Sequence, residues 1–168
     1  MSEPTENAAP KQTVPLLDMR AFLEAQRHER YRAFIVHGLP ATGKTAFARK
    51  AAAMMSGAYI DVLATVAATP ELAAQVDILD AGFLKRLALE SAGQGANVVL
   101  LDEFDFLLPV WGGDLSPLVE IVRKLSVTET QAIIGFVMQT TPALETLTLV
   151  NSAGQSRLLR LDEIQGLK

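Results

Sequence analysis

The residues with the clearest chemical meaning lie in the stretch VHGLPATGKTA at positions 36–46. Its glycines, lysine and threonine have the spacing G-x-x-x-x-G-K-[ST]. Glycine lets a tight turn bring backbone N–H groups against a polyphosphate without a side-chain clash. The lysine can reach the β- and γ-phosphates, and the threonine hydroxyl can bind Mg²⁺. The pattern predicts a nucleotide-binding loop made of Gly38, Leu39, Pro40, Ala41, Thr42, Gly43, Lys44, Thr45 and Ala46.

The sequence on either side of this loop favours that interpretation. The apolar run at 33–36 is typical of a buried strand, and the Ala-rich run after the loop is typical of a helix that stops at Gly57. A strand, a glycine loop and a helix are the setting in which such a loop holds phosphates. The alternative is a glycine turn that joins a strand to a helix and binds nothing.

A second candidate lies in VVLLDE at residues 98–103. Four apolar residues form a predicted buried strand, and two carboxylates follow at its carboxyl end, the edge where open α/β sheets bind ligands. Asp102 is placed to hold Mg²⁺, and Glu103 to orient and polarise an attacking water. The alternative is a strand that ends in a solvated acidic turn. Asp105 is interpreted as a helix cap or a solvated charge.

Two further strand ends carry polar candidates. The fourth predicted strand ends in QTTP, so Thr140 or Thr141 is a candidate to sense the γ-phosphate, although Thr141 also suits the cap of a helix opened by Pro142. Arg157, just before the last predicted strand, is expected at the domain surface. From there it would stabilise charge on a neighbouring subunit's γ-phosphate. The alternative is a solvated arginine, and Arg160 is the second candidate for the same role.

The remaining pattern sets the architecture that must position these residues. Strands are predicted at 33–37, 59–63, within 97–105, at 131–140 and at 156–164, and helices at 17–31, 44–55, 69–75, from 81 to Gly93, and at 116–126. The stretch after Thr141 is predicted as a short helix, although TLTLV alternates like a strand. Strands that alternate with helices predict an α/β fold with a mainly parallel five-stranded sheet covered on both faces.

Length and composition exclude several classes of protein. The 168 residues suit one domain, assigned to 16–168, and the polar segment 1–15 is expected to be a disordered tail. The net charge of −4 argues against nucleic-acid or membrane binding by the whole surface, although a local basic patch stays open. The absence of cysteine suits a cytoplasmic protein. No apolar run is long enough for a membrane span.

These motifs, in this order, resemble those of the AAA+ ATPases. GLPATGKT resembles their phosphate loop, VVLLDE their second acidic motif, MQTT their first sensor, and SRLLRL the Ser-Arg-Cys box of clamp loaders and the equivalent box of replication initiators. The resemblance runs from about residue 17 to 162 and implies a three-layer P-loop fold, ATP and Mg²⁺ as ligands, and an arginine that acts on the adjacent subunit. It also implies an oligomer or an ATPase subunit of a larger complex.

The sequence departs from that family in two respects. Members continue into a helical lid with a second sensor arginine, whereas no such lid is expected before Lys168. No extra domain for substrate recognition is evident either. A small lidless ATPase of this layout is similar to the small P-loop protein of BREX-type phage-defence systems. Phage defence, another DNA-related process and protein remodelling all stay open.

Three functions fit the motifs. No Asn-Lys-x-Asp element for guanine is evident, which favours ATP over GTP. A hydrolysing ATPase is the first interpretation, since Glu103 is intact. A nucleotide-gated adaptor with little hydrolysis is the second. A small-molecule kinase is the third, but it would need an arginine-rich lid, and only Lys85 and Arg86 are offered. The loop LLPVWGG at 107–113 either tucks its apolar side chains into the core or forms a docking surface.

Overall fold

A computed structural model describes residues 15–167. The predicted tail at residues 1–15 lies outside the described residues except for Pro15. Within the described range the chain alternates strands and helices, as the sequence predicts. The strands are β1 (Phe34–Gly38), β2 (Ala58–Asp61), β3 (Val98–Asp102), β4 (Ile133–Gln139) and β5 (Leu158–Arg160). The helices are α1 (Met19–Gln26), α2 (Lys44–Met54), α3 (Val62–Ala68), α4 (Pro70–Ala74), α5 (Ala81–Gly93), α6 (Ser116–Lys124) and α7 (Pro142–Glu145).

The five strands form a single parallel sheet in the order β2-β3-β4-β1-β5. This confirms the predicted α/β class and places β4 between β1 and β3. In register, Gly38 at the end of β1 lies opposite Gln139 at the end of β4, and Asp61 lies opposite Asp102. Because all strands run the same way, the ends that carry the predicted site residues meet at one edge of the sheet.

Helices cover both faces of the sheet, and each face has its own apolar core. On one face α1 and α2 pack with Phe22, Leu23, Phe47 and Ala51 against side chains of β1 and β3. On the other face α3, α5 and α6 pack with Val66, Leu84 and Leu118 against the alternate side chains of the same strands. Burial on both faces explains why β3 and most of β4 read as continuous apolar runs rather than alternating ones.

Several boundaries differ from the predicted ones. The strand predicted at 59–63 stops at Asp61, and an unpredicted helix, α3, begins at once, because the Asp61 carboxylate accepts the Ala64 N–H at 2.9 Å and caps it. The predicted fifth strand, 156–164, is only three residues long because Leu161–Glu163 turn as a 3₁₀ helix. The first helix ends at Gln26 rather than 31, because the chain then leaves the helical path in turns in which the His28 N–H donates to the Ala25 carbonyl and the Glu29 N–H to the Gln26 carbonyl.

Two segments that the sequence left ambiguous are settled. The short helix predicted after Thr141 is present as α7, and TLTLV contributes only an isolated bridge between Val150 and Ser156. Trp111 is half-buried and its indole N–H donates to the Leu79 carbonyl at 2.8 Å, so this side chain tucks inward. Among the described residues no helix follows β5 apart from the 3₁₀ turn, and none is long and apolar enough to cross a membrane.

Candidate functional site

The glycine-rich loop, residues 38–45, leaves β1 at the carboxyl edge of the sheet and enters α2. Gly43, the residue before α2, has φ +89°, a left-handed conformation that glycine adopts without strain. Ala41 is also left-handed, with φ +58°. Such turns point successive backbone N–H groups toward one side and form an anion-binding concavity. The Lys44 ammonium spans the loop and donates to the Leu39 carbonyl at 2.7 Å.

The start of α2 has no side-chain cap, because the residue before it is Gly43. Asp18 and Asp80 cap α1 and α5 by accepting a helix N–H, whereas α6, like α2, begins without such a cap. What distinguishes α2 is that its uncapped start follows the left-handed turns of the glycine-rich loop. The free N–H groups and the positive end of the helix dipole therefore face the loop, an arrangement that suits a phosphate.

Thr45 brings the loop and the acidic strand end together. Its hydroxyl lies 2.8 Å from Asp102 Oδ2 and 2.9 Å from Glu103 Oε1, so one hydroxyl proton is shared between two carboxylates. Asp102 is only 2% exposed, and its Oδ1 accepts the Glu103 N–H at 2.8 Å. The three side chains that the sequence assigned to metal binding and water activation thus converge at one point.

Glu103 itself has an uncommon backbone conformation, with φ +59°. A non-glycine residue in the left-handed region costs of order 1 kcal/mol and persists only where the surroundings hold it. Such strain concentrates at functional sites. Here it accompanies a carboxylate that reaches back across the edge of the sheet to Thr45.

Tyr59 is a site residue that sequence reasoning missed. It lies on β2 beside β3, and its hydroxyl donates to Asp102 Oδ2 at 2.9 Å. Burial, and then the hydrogen bond to Asp102, raise the pKa of Tyr59, so the phenol stays a neutral donor. The Arg49 guanidinium of α2 lies 4.3 Å from the centre of the Tyr59 ring. Parallel pairing of β2 with β3 was the only signal that could have placed this tyrosine at the site.

Asp105 and Gln139 also belong to this edge. Asp105 Oδ1 accepts the Gln139 N–H at 2.9 Å, which ties the turn after β3 to the end of β4. Burial raises the pKa of Asp105, opposed by the Gln139 N–H and by nearby Lys44. It therefore neither caps a helix with its side chain nor is fully solvated. Gln139 is two residues beyond Val137, which packs on the α2 side, so alternation places exposed Gln139 on the face that carries Asp102.

The two threonines after β4 occupy different environments. Thr140 Oγ1 lies 2.9 Å from Nδ1 of His37, and the Thr140 N–H donates to the Gly38 carbonyl at 3.0 Å. The His37 side chain is buried, and desolvation, with a smaller contribution from Arg160, lowers its pKa. Thr141 precedes α7 without a side-chain capping bond, and its hydroxyl is buried with no protein partner. Thr141 is therefore the N-cap residue of the helix opened by Pro142, as expected, although its side chain forms no capping bond.

The expected surface position of Arg157 is wrong. Arg157 is 5% exposed and lies at the amino end of β5, the edge opposite the glycine-rich loop. Its guanidinium donates to the carbonyls of Ala33 at 2.9 Å, Val122 at 2.8 Å and Val150 at 3.2 Å. Burial lowers its pKa. These bonds join β1, α6 and the loop before β5, so in this arrangement the side chain is structural and faces no neighbour.

Arg160, the second candidate, occupies the position expected of Arg157. It ends β5 opposite His37, one residue before the glycine-rich loop begins, and its side chain is exposed. It forms exposed ion pairs with Asp162 at 3.2 Å and Glu163 at 3.9 Å. A separate cleft of about 300 Å³, which Arg160 does not line, lies between the start of α2 and residues 161–167. Its walls include Ala46, Phe47, Leu161, Ile164 and Leu167.

The oxygen atoms at this edge suit a Mg²⁺ ion that is also bound by phosphate and water. Among the described residues, no group of three or more His, Cys, Asp or Glu side chains is arranged to hold a metal by itself. Mg²⁺ commonly takes one or two protein oxygens and completes its shell with phosphates and water. The Thr45 hydroxyl and the Asp102 carboxylate supply such a pair.

No known protein family matches the sequence, and none of the curated proteins compared with it is similar.

Proposed function

We propose that this protein binds Mg²⁺-ATP at the carboxyl edge of its sheet and hydrolyses it, as a cytoplasmic AAA+-like ATPase that works in an oligomer or a larger assembly. The observation that carries the proposal is the shared hydroxyl of Thr45, within 2.9 Å of both Asp102 and Glu103 at the uncapped start of α2. Phosphoryl transfer needs three parts close together. These are N–H groups that bind phosphate, a pair of ligands for one metal ion, and a base that activates water.

Each residue has a role set by its chemistry. Lys44 and the N–H groups of the glycine-rich loop hold the phosphates, while Thr45 and Asp102 hold the metal, with Tyr59 orienting the Asp102 carboxylate. Mg²⁺ bound there would neutralise charge that develops on the phosphates. The Glu103 carboxylate accepts a proton from the attacking water. Because the Thr140 hydroxyl is bonded to His37, Gln139 is the better-placed γ-phosphate contact, and Thr140 and Thr141 remain candidates.

The cleft beside the loop is the proposed site of the base. Its walls combine apolar side chains, including Phe47, Leu161 and Ile164, with the polar side chains of Thr42, Lys50 and Gln165, a mixture that suits a purine ring and its polar edge. Residues 161–167 form one wall of this proposed base site. Arg160, rather than Arg157, is the proposed residue that acts on a neighbouring subunit's nucleotide.

One observation favours the adaptor alternative. Lys44 is bonded to the loop's own Leu39 carbonyl and must leave it to reach a phosphate. An ATPase whose lysine must rearrange first would turn over slowly without a partner. This would suit a nucleotide-gated switch that waits for a partner.

ATP turnover and ATP binding measured on the same samples test the proposal. The Glu103→Gln variant should bind ATP normally and lose at least roughly a hundredfold in turnover, because the amide cannot accept the water proton. Turnover per chain should rise with protein concentration, and it should stay flat in Arg160→Ala. Normal hydrolysis by Glu103→Gln would exclude the assigned base. ATP binding without turnover at any protein concentration would favour the nucleotide-gated adaptor.

A further inference from the structure

A dense group of arginines lies at the edge of the sheet opposite the glycine-rich loop. The segment RHERYR, residues 27–32, joins α1 to β1 and contains three arginines, a histidine and a tyrosine with only one acid, Glu29. The chain as a whole has a net charge of −4, so this segment is locally opposite to the protein's overall charge.

Backbone pairing brings a second basic segment beside the first. Tyr31 forms an antiparallel bridge with Ser126, and the Val127 N–H donates to the Arg30 carbonyl at 3.0 Å. Ser126 follows the last turn of α6, which carries Arg123 and Lys124. We call the resulting surface, made of Arg27, Arg30, Tyr31, Arg123 and Lys124, the arginine patch.

Nearby acids neutralise part of the positive charge in the patch and leave Arg30 without an acid partner among the described residues. Arg27 pairs with Glu24 and Lys124 pairs with Glu120, and both pairs are exposed. Arg123 forms no direct ion pair among these residues but lies near Glu120, whose pKa is lowered by Lys124 and less strongly by Arg123. Glu29 Oε1 accepts the Ser152 hydroxyl at 2.7 Å. Arg157 lies buried nearby; burial lowers its pKa, Glu29 opposes that shift and Arg123 adds to it.

The patch also holds the one exposed aromatic side chain of the described residues. Tyr31 is 38% exposed, whereas the other aromatic side chains are buried or half-buried. The Arg30 guanidinium lies 5.4 Å from the centre of the Tyr31 ring. An aromatic ring among arginines offers a flat face for a base next to cations for phosphates, the combination that proteins use to hold single strands.

We propose that the arginine patch binds single-stranded nucleic acid, with Arg30 and Arg123 contacting phosphates and Tyr31 stacking on a base. The helix-end position of Arg123 and Lys124 also stabilises α6 through its dipole. That local role does not account for Arg30 or for an exposed tyrosine beside them. The site is distant from the ATP edge and stands independently of the proposed ATPase activity.

Fluorescence anisotropy of a labelled oligo-dT of about 20 nucleotides tests the proposal, in buffer without ATP. The wild-type chain should bind at about 50 mM salt and much more weakly at about 200 mM. The Arg30→Ala/Arg123→Ala double variant should weaken binding by roughly tenfold or more and make the salt dependence shallower. Tyr31→Ala should weaken it by about fivefold to a hundredfold, while Tyr31→Phe, which keeps the ring, should bind like wild type.

Arg86→Ala is the matched control, since it removes an exposed arginine of α5 that is not one of the patch residues. It should bind like wild type, and all variants should keep the wild-type melting temperature. Failure of the wild type to bind at low salt would overturn the proposal, as would equal weakening by Arg86→Ala. Duplex binding as tight as single-strand binding with no effect of Tyr31→Ala would also overturn it. So would binding to phosphatidylserine vesicles without binding to the oligonucleotide.

Discussion

Replacing Arg157 with alanine should unfold the protein more easily rather than impair a site between subunits. The change removes three hydrogen bonds from a charged donor and leaves the carbonyls of Ala33 and Val122 buried without that partner. Hydrogen bonds to charged groups contribute about 1.5–3 kcal/mol each, and relief of guanidinium burial offsets part of the loss. We expect a net loss of about 2–4 kcal/mol in the free energy of unfolding.

That loss corresponds to a melting temperature lower by about 5–15 °C for a domain of this size. Thermal unfolding followed by circular dichroism measures it directly. Arg160→Ala is the matched control, because this arginine is exposed and has only surface ion pairs, so its melting temperature should change little. An Arg157→Ala variant with a wild-type melting temperature but reduced turnover per chain would refute the structural role and restore a surface one.

Three further changes have outcomes set by the structure. Tyr59→Phe removes the hydroxyl that donates to Asp102, so the Mg²⁺ concentration needed for half-maximal ATP binding should rise by about tenfold. If the Mg²⁺ titration of the variant matches that of the wild type, the role assigned to Tyr59 is wrong. Gly135→Ala would drive a methyl group into two core side chains and should cost about 1–3 kcal/mol in urea unfolding, whereas Gly93→Ala, which meets nothing within 4 Å, should not. The pKa of Asp105 is raised in the folded protein, so Asp105 contributes to the free energy of unfolding below its ordinary pKa of 3.8. This contribution is lost as the pH rises through the pKa that Asp105 has in the folded protein. Asp105→Asn should therefore become more stable relative to wild type as the pH rises from about 4 to 7, and parallel pH profiles of the two would disprove this.

Much of the fold was predictable because several local signals agreed. The apolar runs of β1 and β3, the Thr-Pro start of α4 and the Asp80 cap of α5 each indicate the element that is present. The motif spacing, together with the flanking strand and helix, predicts the places of the glycine-rich loop and of Asp102-Glu103 in the sheet, and the structure has them at its carboxyl edge. Their convergence at Thr45 follows from parallel strands that end at one edge.

What the sequence did not reveal depends on contacts distant along the chain. Tyr59 reads as an ordinary β-strand residue, and only the pairing of β2 with β3 brings it to Asp102. Arg157 and Arg160 lie three positions apart, yet one is buried at the amino end of β5 and the other exposed at its carboxyl end. Because β5 is only three residues long, the two arginines lie at opposite edges of the sheet, which residue type alone does not indicate.

The central claim is that the glycine-rich loop holds Mg²⁺-ATP, and isothermal titration calorimetry tests it most directly. Wild-type protein and the Lys44→Ala variant would each be titrated with ATP, in Mg²⁺ and again in excess EDTA. We expect saturable binding by the wild type in Mg²⁺, much weaker binding in EDTA, and a large loss of affinity in Lys44→Ala. Equal affinity of the two proteins for ATP, or no binding by either at millimolar ATP, would contradict the claim that the glycine-rich loop holds Mg²⁺-ATP.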